Sequence, residues 1–305
     1  MITATTGEGS HVYEVDEGWG ALPPGVAFGY THAVEVDAAD NVYVHNRSRD
    51  AVAIFDREGR FLGSWGEAFA AGAHGMHLQH EGGREYLYFA DPVRHLVAKA
   101  DLSGHVLWQL GVPDLPDVYP TVDRYRPTGV AVAPCGDVYV CDGYGQHWIH
   151  RYSADGRRLQ SWGGPKELDC PHGIWVDARG PAPVVLVADR GHRRLVGFSA
   201  EGEVRFVSGE GVRQPCGFCP DGPDLVVPDL HGRVTVLGPD LAPVAQLGDE
   251  PGVWERQGWP DLPPEQRHSG RFVSPHDAAV DSHGDMYVVE WIADGRLTKL
   301  HRLAG

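Results

Sequence analysis

The chain has 305 residues, and its 40 Gly and 23 Pro make it rich in backbone punctuation, against about one position in eight for an average protein. With 42% hydrophobic residues, 9 Trp, 11 Tyr and 9 Phe, there is ample material for a packed core, which argues against a disordered chain. Lys and Arg number 26 against 42 Asp and Glu, a formal charge of −16, and a field of that sign makes nucleic acid and anionic membranes poor partners.

Taken in chain order, the opening MITATTGEGSHVYEVDEGWG has neither the basic n-region nor the apolar h-region of a leader. No later run approaches the ~18 apolar residues of a membrane span. The five cysteines (Cys135, Cys141, Cys170, Cys216 and Cys219) are an odd number, so a cytoplasmic protein with reduced thiols is expected. Within the opening, His11-Val-Tyr-Glu-Val15 alternates as a strand does. Six segments then share one register: His32-Ala-Val-Glu-Val-Asp37, His74-Gly-Met-His-Leu78, Thr128-Gly-Val-Ala-Val132, His172-Gly-Ile-Trp-Val-Asp177, Cys216-Gly-Phe-Cys-Pro220 and His276-Asp-Ala-Ala-Val-Asp281. A turn and a second apolar run follow each: NVYVHN, EYLYFAD, DVYVCD, VVLVAD, DLVVPD and DMYVVE. Third and usually fourth runs come next, as in WIHRYSADGRRLQSW, linked by hairpin signals such as Glu58-Gly59, Asp155-Gly156 and Glu201-Gly202.

Four short strands recurring every ~40–60 residues specify an all-β, six-bladed β-propeller of four-stranded antiparallel blades. The expectation is one domain over 1–305, with blades starting near 32, 74, 128, 172, 216 and 276. The last blade shows three strands, so the run at about 11–15 completes it and closes the ring. Pro- and Asp-rich inserts, roughly Gly111–Arg126 and Gly248–Ser274, are expected over one mouth of the channel.

In a propeller the first strand of each blade lines the channel, so the leading residues form a ring: His32, His74, Thr128, His172, Cys216 and His276. A lone histidine would ordinarily satisfy a local backbone group; four in register point further. His74, His172 and His276 fall in the second, fourth and sixth blades, about 120° apart around a sixfold ring. Three converging imidazoles with an open fourth position form the pattern of a catalytic zinc site. His32 breaks that spacing and reads as a contact to substrate or water. Cys216 reads as an apolar filler or a soft ligand; Cys216 and Cys219 have no partner pair, so a zinc finger is not expected and packing is. His32, Cys216 and Thr128 together make a possible substrate pocket. No phosphate-binding glycine loop or Gly-x-Ser-x-Gly elbow occurs, and His80-Glu81 is followed by Arg84 rather than the histidine of a helical zincin.

Several stretches carry a likeness: Arg126-Pro-Thr-Gly-Val-Ala-Val through Asp142-Gly-Tyr-Gly to Ser161-Trp-Gly163, with His74-Gly-Met76, Pro171-His-Gly173, Val187-Ala-Asp-Arg190 and Pro275-His-Asp277. On these, residues from about 26 to 301 resemble the NHL-repeat propellers and, among them, the peptidyl-α-hydroxyglycine α-amidating lyases. The resemblance implies zinc on His74, His172 and His276. It implies a structural calcium on Asp277 with the carbonyls of Met76 and Val34, an active-site tyrosine at Tyr144 and an active-site arginine at Arg47. The implied reaction is cleavage of a C–N or C–O bond at a hydroxylated carbon of a small or peptide-like substrate. Tyr144 would be the base, and Arg47 would stabilise its phenolate or clamp a carboxylate. Ser274, His32, Gly145 and Gln146-His147-Trp148 depart from the family's pattern, so the pocket lining differs. Two alternatives stand beside this reading: a metal-dependent hydrolase or lactonase on the same scaffold, and a non-catalytic NHL binding module.

Overall fold

The alternating runs are strands in the computed structural model, which describes residues 4–303. The first blade comprises Thr31–Val36, Val42–Asn46, Val52–Phe55 and Phe61–Trp65, and the second Met76–Glu81, Arg84–Asp91, Leu96–Asp101 and Val106–Leu110. Gly129–Val132, Val138–Cys141, Trp148–Tyr152 and Arg158–Gly163 form the third; Pro171–Asp177, Val184–Asp189, Arg194–Phe198 and Val204–Ser208 form the fourth. The fifth holds Cys219–Asp221, Asp224–Asp229, Arg233–Leu237 and Pro243–Leu247. Pro275–Val280, Met286–Glu290 and Arg296–Arg302 open the sixth. Within each blade, successive strands pair antiparallel. The architecture is an all-β six-bladed propeller.

The sixth blade is completed from the N-terminus. His11–Asp16 pairs with Arg296–Arg302, setting Tyr13 opposite Arg302 and Val15 opposite Leu300. Thr5–Glu8 adds a fifth strand outside it. Its sequence, TTGE, has no apolar alternation to announce a strand; Val15 N–H donating to Ala4 O at 2.9 Å and Gly248 N–H donating to Thr6 Oγ1 at 2.6 Å hold it there.

Two compact units divide the chain. One, Ala71–Gly209, holds the second to fourth blades. The other, the chain up to Ala70 with that from Glu210 onward, holds the first, fifth and sixth. Residues 1–3 and 304–305 of the expected 1–305 domain lie outside the described residues. In the first-named unit, Tyr139, Ile149, Trp162, Val187 and Phe198 pack between the third and fourth blades. Tyr88, Val97, Tyr125, Val140 and Tyr152 do the same between the second and third. In the other unit, Trp19, Val34, Phe55, Tyr287 and Val289 join the first and sixth blades. Tyr13, Val226, Val234, Met286 and Leu300 join the fifth and sixth. Second strands such as Val42–Asn46 and Met286–Glu290 are buried along their whole length, because layers cover both faces. The inserts are irregular with short 3-10 turns at Val122–Arg124, Val253–Glu255 and Pro264–Gln266. Among the described residues no helix is long and apolar enough to cross a membrane.

One repeated device turns the fold into a frame for the ring residues. Asn46, Asp91, Asp189, Asp229 and Glu290 end the second strands and Asp142 directly follows one, none of them more than 1% exposed. A buried carboxylate needs donors, and the backbone leading into the same blade supplies them. Gly29 N–H donates to Asn46 at 3.1 Å, Arg126 N–H to Asp142 at 2.6 Å, Asp169 N–H to Asp189 at 2.7 Å and Ser274 N–H to Glu290 at 3.1 Å. Arg213 and Gln214 N–H serve Asp229. Each donor lies two to three residues before a ring residue: His32, Thr128, His172, Cys216 or His276. Asp91 departs from the scheme and takes the N–H groups of Val93 and Arg94.

Candidate active site

In the unit Ala71–Gly209, His74 is followed by Gly75, where a Cβ would stand 2.4 Å from Thr128 O. Only glycine permits that approach. The same carbonyl lies 2.7 Å from His74 Nδ1, so Nδ1 carries the proton and Nε2 presents its lone pair. His74 Nε2 and His172 Nε2 lie 3.1 and 3.2 Å from one oxygen, the Tyr144 hydroxyl. The two imidazole centroids are 4.8 Å apart. Arg190 Nη2 donates to the same hydroxyl at 3.1 Å and also approaches Cys170 Sγ at 3.4 Å. His74, His172, Tyr144 and Arg190 therefore meet at a single oxygen.

The loop that presents Tyr144 is fixed from beneath. Asp142 accepts the N–H groups of Arg126 and Gln146, each at 2.6 Å, and the Tyr119 hydroxyl at 2.8 Å. A Cβ on Gly145 would lie 2.0 Å from Asp142 Oδ1 and 2.3 Å from Arg124 O, which accounts for glycine in Asp142-Gly-Tyr-Gly145. Burial pushes the Asp142 carboxyl up to about 6, against the pull of the Gln146 and Arg126 amides. His150, 2.7 Å from the Tyr119 oxygen, is pushed down to about 3 by burial and stays neutral. Thr128 is committed to the frame: its hydroxyl donates to Pro171 O at 3.1 Å and receives Gly143 N–H at 3.2 Å.

The other unit carries the remaining candidates. His276 Nδ1 lies 2.6 Å from His32 O, repeating the arrangement at His74 and presenting Nε2. His32 Nδ1 in turn meets Tyr30 O at 3.0 Å, and the His32 and His276 rings contact edge to face at 4.9 Å. A ligand nitrogen of His276 lies within 4.8 Å of one from His32 and also of Cys216 Sγ. Asp277 accepts Val34 N–H at 3.2 Å and Ala278 N–H at 3.0 Å. Asp277 keeps some accessible surface, yet enough protein surrounds it that burial raises its carboxyl to about 8, opposed only by those two amides. Met76 is 6% exposed at the start of the second blade. Arg47 is exposed and tied by its backbone N–H to Tyr30 O at 3.0 Å.

Of the four residues that meet at the Tyr144 oxygen, the sequence singles out His74, His172 and Tyr144 but gives no role to Arg190, whose guanidinium reaches the hydroxyl. The signal was present in Val187-Ala-Asp-Arg190, but spacing alone offers no means of telling which arginine reaches a tyrosine 46 residues away.

The NHL repeat family model matches residues 125–152, the stretch holding Thr128, Asp142 and Tyr144. Among individual proteins, the chain is similar to NHL repeat-containing protein 3 of Mus musculus, with 29% identity over 267 residues, 78% of this chain and 72% of that one. It is also similar to peptidyl-alpha-hydroxyglycine alpha-amidating lyase 2 of Drosophila melanogaster, 28% identical over 172 residues. That alignment takes in 54% of this chain and 39% of the fly protein. A solved streptogramin B lyase superposes with a TM-score of 0.65 at 12% identity, over 95% of this chain and 97% of that one, a likeness of fold alone.

Proposed function

We propose that this protein is a metal-dependent lyase that breaks a C–N or C–O bond at a hydroxylated carbon of a small or peptide-like substrate. The observation that carries the reading is the Tyr144 hydroxyl, within 3.2 Å of two imidazole nitrogens and a guanidinium. In this reading His74, His172 and His276 hold zinc, and Asp277 holds calcium with the carbonyls of Met76 and Val34. The donors suit those ions. His74 and His276 each place Nδ1 on a backbone carbonyl, the outer contact typical of metal-binding imidazoles. Asp277 is a desolvated carboxylate that, among the described residues, accepts two backbone amides, and a carboxylate with backbone carbonyls is an oxygen set that favours a hard cation. Zinc held there would acidify a substrate hydroxyl as it does a bound water.

The chain's own residues do the rest. The Arg190 charge against the Tyr144 oxygen favours the phenolate, so Tyr144 takes the hydroxyl proton of a carbinolamide, N–CH(OH)–COO⁻. The O–H electron pair left on oxygen forms the aldehyde C=O as the C–N bond breaks, and the amide nitrogen takes the proton back from Tyr144. Amide and aldehyde leave without consuming water. Arg47, exposed at its loop, clamps the substrate carboxylate through paired donors. The likeness to the fly lyase supports this class.

The test is to offer an N-acyl-α-hydroxyglycine and assay glyoxylate and the matching amide. Equal amounts of both are expected; neither product, across a panel of N-(hydroxyalkyl)amides, would remove the lyase reading. A second reading, a non-catalytic binding module, is favoured by the longer alignment to NHL repeat-containing protein 3. It expects no zinc and no turnover.

A further inference from the structure

We propose that Cys216 is itself a ligand of the metal centre, so that the ion meets a thiolate as well as imidazole. The inference rests on the zinc reading above and adds a donor to it. Cys216 leads the fifth blade at the ring position that His276 and His32 hold in the sixth and first. Its sulfur and a ligand nitrogen of His276 lie within 4.8 Å of each other, so at most a small closing movement brings them to the ~3.6 Å that a tetrahedral ion sets with bonds of ~2.3 Å to sulfur and ~2.0–2.1 Å to nitrogen. Both side chains are buried, at 2% and 5% exposure.

The backbone around Cys216 is clamped rather than loose. Arg213 and Gln214 N–H are held by Asp229, and Cys216 N–H donates to Pro228 O at 2.9 Å. Its sulfur lies 3.6 Å from Gln214 O, long for a hydrogen bond. Cys141 shows the contrast. It is equally buried, but its thiol sits 3.2 Å from His172 O and 3.7 Å from Gly129 O, and burial pushes it up to about 12. That thiol keeps its proton as a donor, whereas the Cys216 thiol loses one to solvent when the metal–sulfur bond forms.

Cobalt(II) added to the full chain after chelator treatment gives the readout. One bound equivalent should produce visible d–d bands and an intense near-ultraviolet thiolate-to-cobalt charge-transfer band. Cys216→Ser should keep the d–d bands and lose the charge-transfer band, while Cys135→Ser, at an exposed position, keeps both. Zinc affinity of Cys216→Ser should fall by more than the roughly 10–100-fold of outer-shell changes. Stoichiometric d–d bands with no charge-transfer band in the unaltered chain would overturn Cys216 as a ligand and leave the histidine site standing. So would a charge-transfer band that survives in Cys216→Ser. No cobalt absorbance at all would overturn the ligand and the metal reading together.

Discussion

Replacing Tyr144 by Phe removes one oxygen from the meeting point of His74, His172 and Arg190 and leaves the ring in place. That oxygen has partners at 3.1, 3.2 and 3.1 Å, so two separate effects follow. The first is chemical: a positioned proton acceptor contributes about 10²–10⁴-fold to turnover, and Phe supplies none. The second is structural: Arg190, only 9% exposed, loses a charge-assisted partner and keeps Cys170 Sγ at 3.4 Å. A buried donor left short costs about 1–3 kcal/mol. Tyr144→Phe should therefore lower kcat for N-acyl-α-hydroxyglycine by two to four decades, with a small loss in the urea midpoint and unchanged zinc content. Arg190→Lys should keep the charge, misplace it and move the rising limb of the pH–rate profile to higher pH. Full turnover in Tyr144→Phe would refute the base assignment, and loss of zinc would show the tyrosine to be structural instead.

Three further outcomes are expected. Asp277, held protonated up to about pH 8 by burial, must lose that proton to bind calcium, so the calcium-induced rise in Tm should grow between pH 6 and pH 8 and vanish in Asp277→Asn; an equal increment at both pH values would count against the site. Asp142 has a carboxyl raised from 3.8 to about 6, so the folded chain binds its proton more tightly than the unfolded chain does. Its contribution to stability is greatest below that window and is lost as pH rises through it; urea midpoints in chelator should show Asp142→Asn with a flatter slope over the same range. Gly145→Ala must move Asp142 or Arg124, whose atoms lie 2.0 and 2.3 Å from the new Cβ. It should cost about 1–3 kcal/mol and reduce turnover, read together by calorimetry and product assay.

Much of this was legible before the fold was seen, because a propeller writes its repeat into the chain. The lead residues at 32, 74, 128, 172, 216 and 276 and the Asn, Asp or Glu ending each second run mark where each blade begins and what holds it. The pairing of His11–Asp16 with the last strand was readable from a missing fourth run, whereas Thr5–Glu8 was not, since TTGE has no apolar period. His74 and His172 could be paired by blade arithmetic. Their convergence on Tyr144 could not, because it depends on a loop bent by Asp142 and two close glycines rather than on any period. Arg190 was hidden for the same reason: it follows Asp189 out of a strand end, and only the packed loops bring its guanidinium to the hydroxyl.

Metal analysis of the full chain and of His172→Ala decides whether the ring histidines hold zinc. His172 is one of the three proposed zinc ligands and lies 3.2 Å from the Tyr144 hydroxyl that His74 also approaches. About one zinc per chain is expected in the unaltered protein, lost in His172→Ala while the far-ultraviolet spectrum stays that of an all-β fold. A chain that binds no zinc, or a His172→Ala variant that retains it in full, would rule out the histidine metal site.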